Sequence, residues 1–178
     1  ESSKLKLQLV ATSAHLSIDF GLTYKEIEEE FLIDDKIDNL FSSDSKSSIA
    51  KSAGLASMLL ADSFEKLDPD VVLLLGDRFE AHAAATTALL MNIPIAHIHG
   101  GEITEGAVDE QIRHSITKMS FLHFCSTEVY RNRIIQMGED PERVFNTGAP
   151  GIDNIKNYKL LSKNELENKI DWKFSDQT

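Results

Sequence analysis

Short apolar runs separated by longer amphipathic stretches recur along this 178-residue chain, and that alternation restricts the fold more than any other feature. The runs fall at 4–11, 71–75, 93–98, 121–125 and 144–146, with a weaker one at 33–37. Most are near-continuous rather than alternating, the pattern of strands buried on both faces of a parallel sheet. Between them the periodicity predicts helices over 24–31, 47–67, 79–91, 109–119, 128–137 and 152–157. Punctuation agrees. Asp44 or Ser45 stands where the long Ser/Ala-rich helix needs a cap, Pro69 follows its end, and Gly138 follows the helix ending at Met137. Such alternation implies an α/β fold with a doubly wound parallel sheet. The tail 160–178 is polar and charged, and reads as a linker or a peripheral helix.

Charge and composition narrow the function. With 29 acidic against 18 basic residues the formal net charge is −11, and no Lys/Arg run gathers the cations. Such a surface repels phosphate backbones and anionic lipid, so neither nucleic acid nor a membrane is an expected partner. No stretch reaches the roughly 20 apolar residues of a membrane span. The single cysteine, Cys125, sits in an apolar run and reads as a small buried hydrophobe rather than a reactive thiol. A cytosolic, reducing compartment fits.

Chemistry gathers where apolar runs stop. The run ending at Leu75 is followed by Gly76-Asp77-Arg78, and the run ending at Ile98 by His99-Gly100-Gly101-Glu102. Residues just past the carboxyl ends of parallel strands are where α/β folds bind ligands. The paired glycines permit positive φ or close approach of the backbone to a ligand. A third segment, Asp109-Glu110-Gln111-Ile112-Arg113-His114, opens the next helix. There Val108, Ile112, Ile116 and Met119 form one apolar stripe, flanked by Asp109 and Arg113. Each feature also has a plain reading. Asp77 would cap a helix, and Glu110 with His114 would make a surface pair. His97 and His123 would be satisfied core histidines, and His82 structural. The six histidines show no metal-binding spacing, so no metal site is expected. Neither a G-x-G-x-x-G nor a Walker motif is present.

Taken together, Gly76-Asp77-Arg78-Phe79-Glu80, His97-Ile98-His99-Gly100-Gly101-Glu102 and Asp109 to Lys118 resemble the hydrolysing UDP-N-acetylglucosamine 2-epimerases of sialic-acid-type sugar biosynthesis. Ser13-Ala14-His15-Leu16-Ser17 and the residues after it resemble a further segment of that family, and the likeness runs from about Leu5 to Asp153. The resemblance implies the Rossmann-like N-terminal half of a glycosyltransferase-B-type two-domain fold, lacking its first strand. Residues 1–158 would form this domain, and 159–178 a linker or peripheral segment. The family's opening strand would precede Glu1 and its second domain would follow Thr178, so the chain alone would not turn over.

The implied reaction is elimination of UDP to a 2-acetamidoglucal, then addition of water with inverted C2, giving UDP and N-acetylmannosamine or a 2,4-diacetamido-6-deoxy analogue. The resemblance implies Asp77, Glu102 and Asp109 as catalytic, and His15, Arg78, His99, Arg113 and His114 as substrate-binding. It implies no cofactor, a UDP-sugar as partner, and a homo-oligomeric full-length protein. One position departs from the family pattern: His99 stands where many members carry glutamate. Either His99 takes that role or Glu102 supplies the carboxylate. The alternatives are a non-hydrolysing epimerase and a non-catalytic nucleotide-binding or receiver-like module. A receiver would need an acidic cluster, a phosphoacceptor and a lysine at successive strand ends, and these offer Asp77-Arg78 and Gly100-Gly101-Glu102 instead.

Overall fold

The computed structural model describes residues 4–41, 45–105 and 108–175. It contains two compact units, Glu1–Thr147 and Gly148–Thr178.

In the first unit the strands are β1 (Val10–Thr12), β2 (Asp35–Ile37), β3 (Val72–Leu75), β4 (Ile95–Ile98), β5 (Leu122–Cys125) and β6 (Val144–Asn146). Its helices are α1 (Tyr24–Glu28), α2 (Lys46–Leu67), α3 (Phe79–Leu90), α4 (Asp109–Met119) and α5 (Glu128–Gln136). All pairings are parallel: β1 with β2, and β3-β4-β5-β6 in that order. The sheet is thus parallel as expected, but its hydrogen-bonded ladder is in two pieces.

Two strand expectations change. The predicted strand at 4–11 shrinks to Val10–Thr12, because the residues before it have no described strand beside them, and Leu5 and Leu7 are exposed. β3 is not buried on both faces: as an edge strand it alternates, with Leu73 and Leu75 about 60% exposed. β4 buries Ile95, Ala96 and His97 together, whereas β5, also flanked on both sides, alternates.

The main core forms where α2 lies against α3. Ser52, Ala56, Leu60, Ser63 and Phe64 make the buried stripe of α2, and Ala83, Ala84, Ala85 and Ala88 the buried positions of α3. Small side chains at these positions let two helices approach closely, and Ile37, Ile95 and Ile116 fill the space toward the strands and α4. A smaller cluster of Cys125, Ile134 and Val144 lies under α5. Cys125 is fully buried and burial pushes its thiol up, so it packs as a hydrophobe.

Ser45 is the cap of α2, its hydroxyl accepting from the Ser48 amide at 3.1 Å; Asp44, the other candidate, lies outside the described residues. Ser45→Ala is expected to cost about 1 kcal/mol, read as a fall in the urea midpoint at constant slope. The second unit holds α6 (Pro150–Asn157), with proline in its first turn, and α7 (Lys163–Ile170), closed by a Ser162/Glu165 capping box. No described helix is long and apolar enough to cross a membrane.

Candidate active site at three consecutive strand ends

Because β3, β4 and β5 are parallel neighbours, their carboxyl ends stop along one edge of the sheet. Backbone bonds continue past the strands: the Gly76 amide donates to Ile98 O, and the His99 amide to Phe124 O. The residues that follow, Asp77, His99 and Ser126, are therefore brought side by side.

His97 sets the first turn. Its Nε2–H donates to the Gly76 carbonyl at 2.8 Å, and its Nδ1 faces Thr117 Oγ1 at 3.2 Å. A carbonyl only accepts, so the proton sits on Nε2. Gly76 takes φ of +78°, the left-handed turn that aims Asp77 away from the strand. Asp77 then receives the guanidinium of Arg113, which reaches it from α4. The Arg113 side chain is only 8% exposed and also donates to Thr104 Oγ1 at 3.0 Å. Its Nε has no partner among the described residues.

Three members of the expected α4 stripe hold, with Ile116 fully buried and Ile112 and Met119 packed against the main core, and the fourth does not. Val108 is 71% exposed, whereas Arg113, Ile116 and Thr117 are the buried positions. The ion pair with Asp77 turns this face inward and makes a charged residue part of the interior.

Beyond β4, His99 adopts φ of +65°, a left-handed conformation that asparagine, aspartate and histidine take more readily than other non-glycine residues. Its Nδ1 lies 2.7 Å from Glu102 Oε1, and the Ser126 hydroxyl donates to the same oxygen at 2.7 Å. Burial acts to raise the Glu102 carboxyl. The hydrogen bonds from Ser126 and His99, with the charges of His99 and Arg113, outweigh it and hold the carboxyl below its ordinary value.

The two glycines before Glu102 serve packing. A Cβ on Gly101 would sit 2.6 Å from the Tyr130 carbonyl oxygen, and one on Gly100 would lie 3.1 Å from Thr117 Oγ1. The turn is thus pressed onto α5, where Arg133 donates to the Gly101 carbonyl.

The other sequence candidates are not joined to this cluster. Asp109 opens α4, and no described residue hydrogen-bonds to its carboxylate. Arg78 pairs with Glu80 at 2.5 Å and is largely exposed. His114 lies 3.7 Å from Glu110 one turn away. His15 bonds Thr23 at 2.8 Å and lines an open cavity of about 470 Å³ with Leu9, Glu26, Ile27, Glu30 and Phe31.

His123 is fully buried in the core and faces the Glu139 carboxylate. Its Nε2 is 3.3 Å from Glu139 Oε2, an ion-pair contact when the ring is protonated. Among the described residues, no group of three His, Cys, Asp or Glu is placed to hold a metal ion. Ser126 and Arg133 were missed in the sequence. The rule that singled out Asp77 and His99, the residue just past an apolar run, also points to Ser126.

His97 predicts an acid-labile fold. Burial, aided by the neighbouring charges of His123, Arg113 and His99 and opposed by the Gly76 hydrogen bond, pushes it from 6.5 to about 4. Between those values the unfolded chain binds a proton that the native state refuses, so stability falls as pH drops from about 6.5 to about 4 and then levels. The loss attributable to His97 is about 3 kcal/mol. Urea unfolding of wild type and His97→Gln across this window checks it: the variant's curve should lose most of that slope.

The parallel α/β unit has the fold of the N-terminal half of glycosyltransferase-B-type chains. Two solved structures share the fold. A UDP-GlcNAc 2-epimerase of Neisseria meningitidis bound to UDP-GlcNAc superposes with a TM-score of 0.72 at 22% identity, over 96% of this chain and 47% of that one. A putative UDP-N-acetylglucosamine 2-epimerase of Listeria monocytogenes gives 0.77 at 21%, over 92% and 43%.

The family model of UDP-N-acetylglucosamine 2-epimerases matches residues 1–178, and the chain belongs to that family. It is 51% identical over 173 residues to a Campylobacter jejuni GDP/UDP-N,N'-diacetylbacillosamine 2-epimerase (hydrolyzing), covering 97% of this chain and 45% of the relative. A Legionella pneumophila UDP-N,N'-diacetylbacillosamine 2-epimerase (hydrolyzing) is 43% identical, over 92% and 43%. A polysialic acid biosynthesis protein of Escherichia coli is 42% identical, over 94% and 43%. The chain thus spans less than half the length of these relatives.

Proposed function

We propose that this chain supplies the N-terminal half of the active site of a hydrolysing UDP-sugar 2-epimerase whose substrate is a UDP-linked 2,4-diacetamido-6-deoxy sugar of the diacetylbacillosamine type. The observation that carries the reading is the gathering of the Asp77–Arg113 pair and the His99–Glu102–Ser126 group at three adjacent strand ends. Elimination of UDP and hydration of the glycal need a base at C2, an acid to return a proton there, and a group that activates water. Asp77, Asp109 and the His99–Glu102 pair are the candidates for these tasks, and Arg78, exposed past β3, is the candidate contact for the diphosphate. The preference for a diacetamido sugar rests on the relatives from Campylobacter and Legionella.

Full-length protein incubated with UDP-N,N'-diacetylbacillosamine, and separately with UDP-N-acetylglucosamine, tests this. Free UDP and a C2-inverted free sugar are expected, faster from the diacetamido substrate. A product that keeps its UDP would show a non-hydrolysing enzyme instead, and faster turnover of UDP-N-acetylglucosamine would remove the substrate assignment.

A further inference from the structure

We propose that His99 Nε2 is the base that takes the C2 proton, with Glu102 and Ser126 as positioning residues acting through it; this rests on the epimerase reading above. Glu102 Oε1 receives two contacts of 2.7 Å, one from the Ser126 hydroxyl and one at His99 Nδ1. An ionised carboxylate can only accept, so Nδ1 must carry the proton. In the neutral ring Nε2 is then bare. No described residue hydrogen-bonds to it, and the His99 side chain is 24% exposed at the carboxyl edge of the sheet. A bare nitrogen can only accept, so in this state the ring is equipped to act as a base and not as an acid.

The backbone points the same way. His99 holds φ of +65°, which turns the chain at the strand end and sets the ring beside Glu102. The turn is clamped behind it by Gly101 packed on α5 and by Arg133 on the Gly101 carbonyl. The other charged or titratable groups facing the pair are Arg113 from α4 and His97 from β4. His97 carries its proton on Nε2, toward Gly76, so the two histidines of this strand end are opposite tautomers.

The step balances. Nε2 takes the C2 hydrogen as a proton; the C2–H pair becomes the C1=C2 double bond; the C1–O bond breaks and its pair leaves on the diphosphate oxygen of UDP. The imidazolium that forms is held by the Glu102 carboxylate, and Ser126 keeps that carboxylate in one rotamer.

Two measurements on the full-length protein test this, and one needs no turnover. In ¹⁵N-histidine NMR at about pH 8, where imidazole is neutral, His99 should show the Nδ1–H tautomer and His97 the Nε2–H tautomer, each assigned by its loss in the Gln variant. An Nε2–H tautomer at His99 overturns the proposal whatever the substrate is. In steady-state UDP release, His99→Gln should lower kcat by about 100-fold or more at similar KM and abolish the acid limb of the pH profile. Glu102→Gln should keep that limb and move it to lower pH, because the imidazolium loses its counter-charge. Ser126→Ala should cut kcat by about tenfold, with recovery in Ser126→Thr, whose hydroxyl restores the donor. An acid limb retained in His99→Gln but lost in Glu102→Gln would place the proton on Glu102 and overturn the assignment. Absence of UDP release from wild type, with the Nδ1–H tautomer present, would instead discard the epimerase reading on which it rests.

Discussion

Arg113→Met is expected to destabilise the 4–147 region by about 3–5 kcal/mol, a large part of the roughly 5–15 kcal/mol that holds a domain together. The cost comes from what is left behind. Arg113 is only 7% exposed, and its guanidinium bridges the Asp77 carboxylate and the Thr104 hydroxyl. Without it, a carboxylate whose side chain is 20% exposed loses its counter-charge next to the carboxyl end of β3. Methionine has the length to fill the space but no donor for either oxygen. The double variant Asp77→Leu with Arg113→Met should recover most of the stability, since it removes the stranded charge as well. Urea unfolding of wild type, both single variants and the double variant measures the coupling. A loss in Arg113→Met of less than about 0.5 kcal/mol, the size of a surface change, would show that the pair is not an interior one.

Gly101→Ala carries the second large effect, about 2–5 kcal/mol, from two additive sources. The residue holds φ of +76°, which costs an L-residue about 1–2 kcal/mol. Its new Cβ would stand 2.6 Å from the Tyr130 carbonyl oxygen and 2.8 Å from Ile134 Cγ1. The first of these is helix backbone and cannot swing aside, so α5 or the turn must shift, at about 1–3 kcal/mol. Glu102 is the next residue, and a displaced turn pulls its carboxylate from Ser126 and His99. Gly21→Ala separates the two sources: Gly21 has φ of +85° with nothing within 4 Å of a built Cβ, so only the conformational part should appear. Equal losses in the two variants would show that the turn is not pressed onto α5.

Much of the site was legible as positions and little of it as contacts. Asp77, His99 and Glu102 follow apolar runs, and a parallel sheet sends such residues to one edge whatever lies between them. Ser126 obeys the same rule but has a side chain too common to be noticed. The partner of Asp77 lies 36 positions away on α4, and the apolar periodicity of that helix pointed to Val108 rather than to Arg113. Periodicity counts apolar residues, whereas the burial of a cation depends on a carboxylate delivered by another strand.

The parallel pairing and the identity of the family were thus determined by the sequence alone, because both depend on local pattern: apolar runs, helix punctuation and contiguous motifs. The tertiary structure alone decided how the motifs serve one another. It showed Gly101 at the positive φ expected of a paired glycine and pressed against α5, and it gave the expected core histidine His97 its partners, the Gly76 carbonyl and Thr117. It also set the ring of His99 against Glu102 with Ser126 behind. The physical reason is that hydrogen bonds and close packing are fixed by distances between segments far apart in the chain, and those distances exist only once the strands have paired.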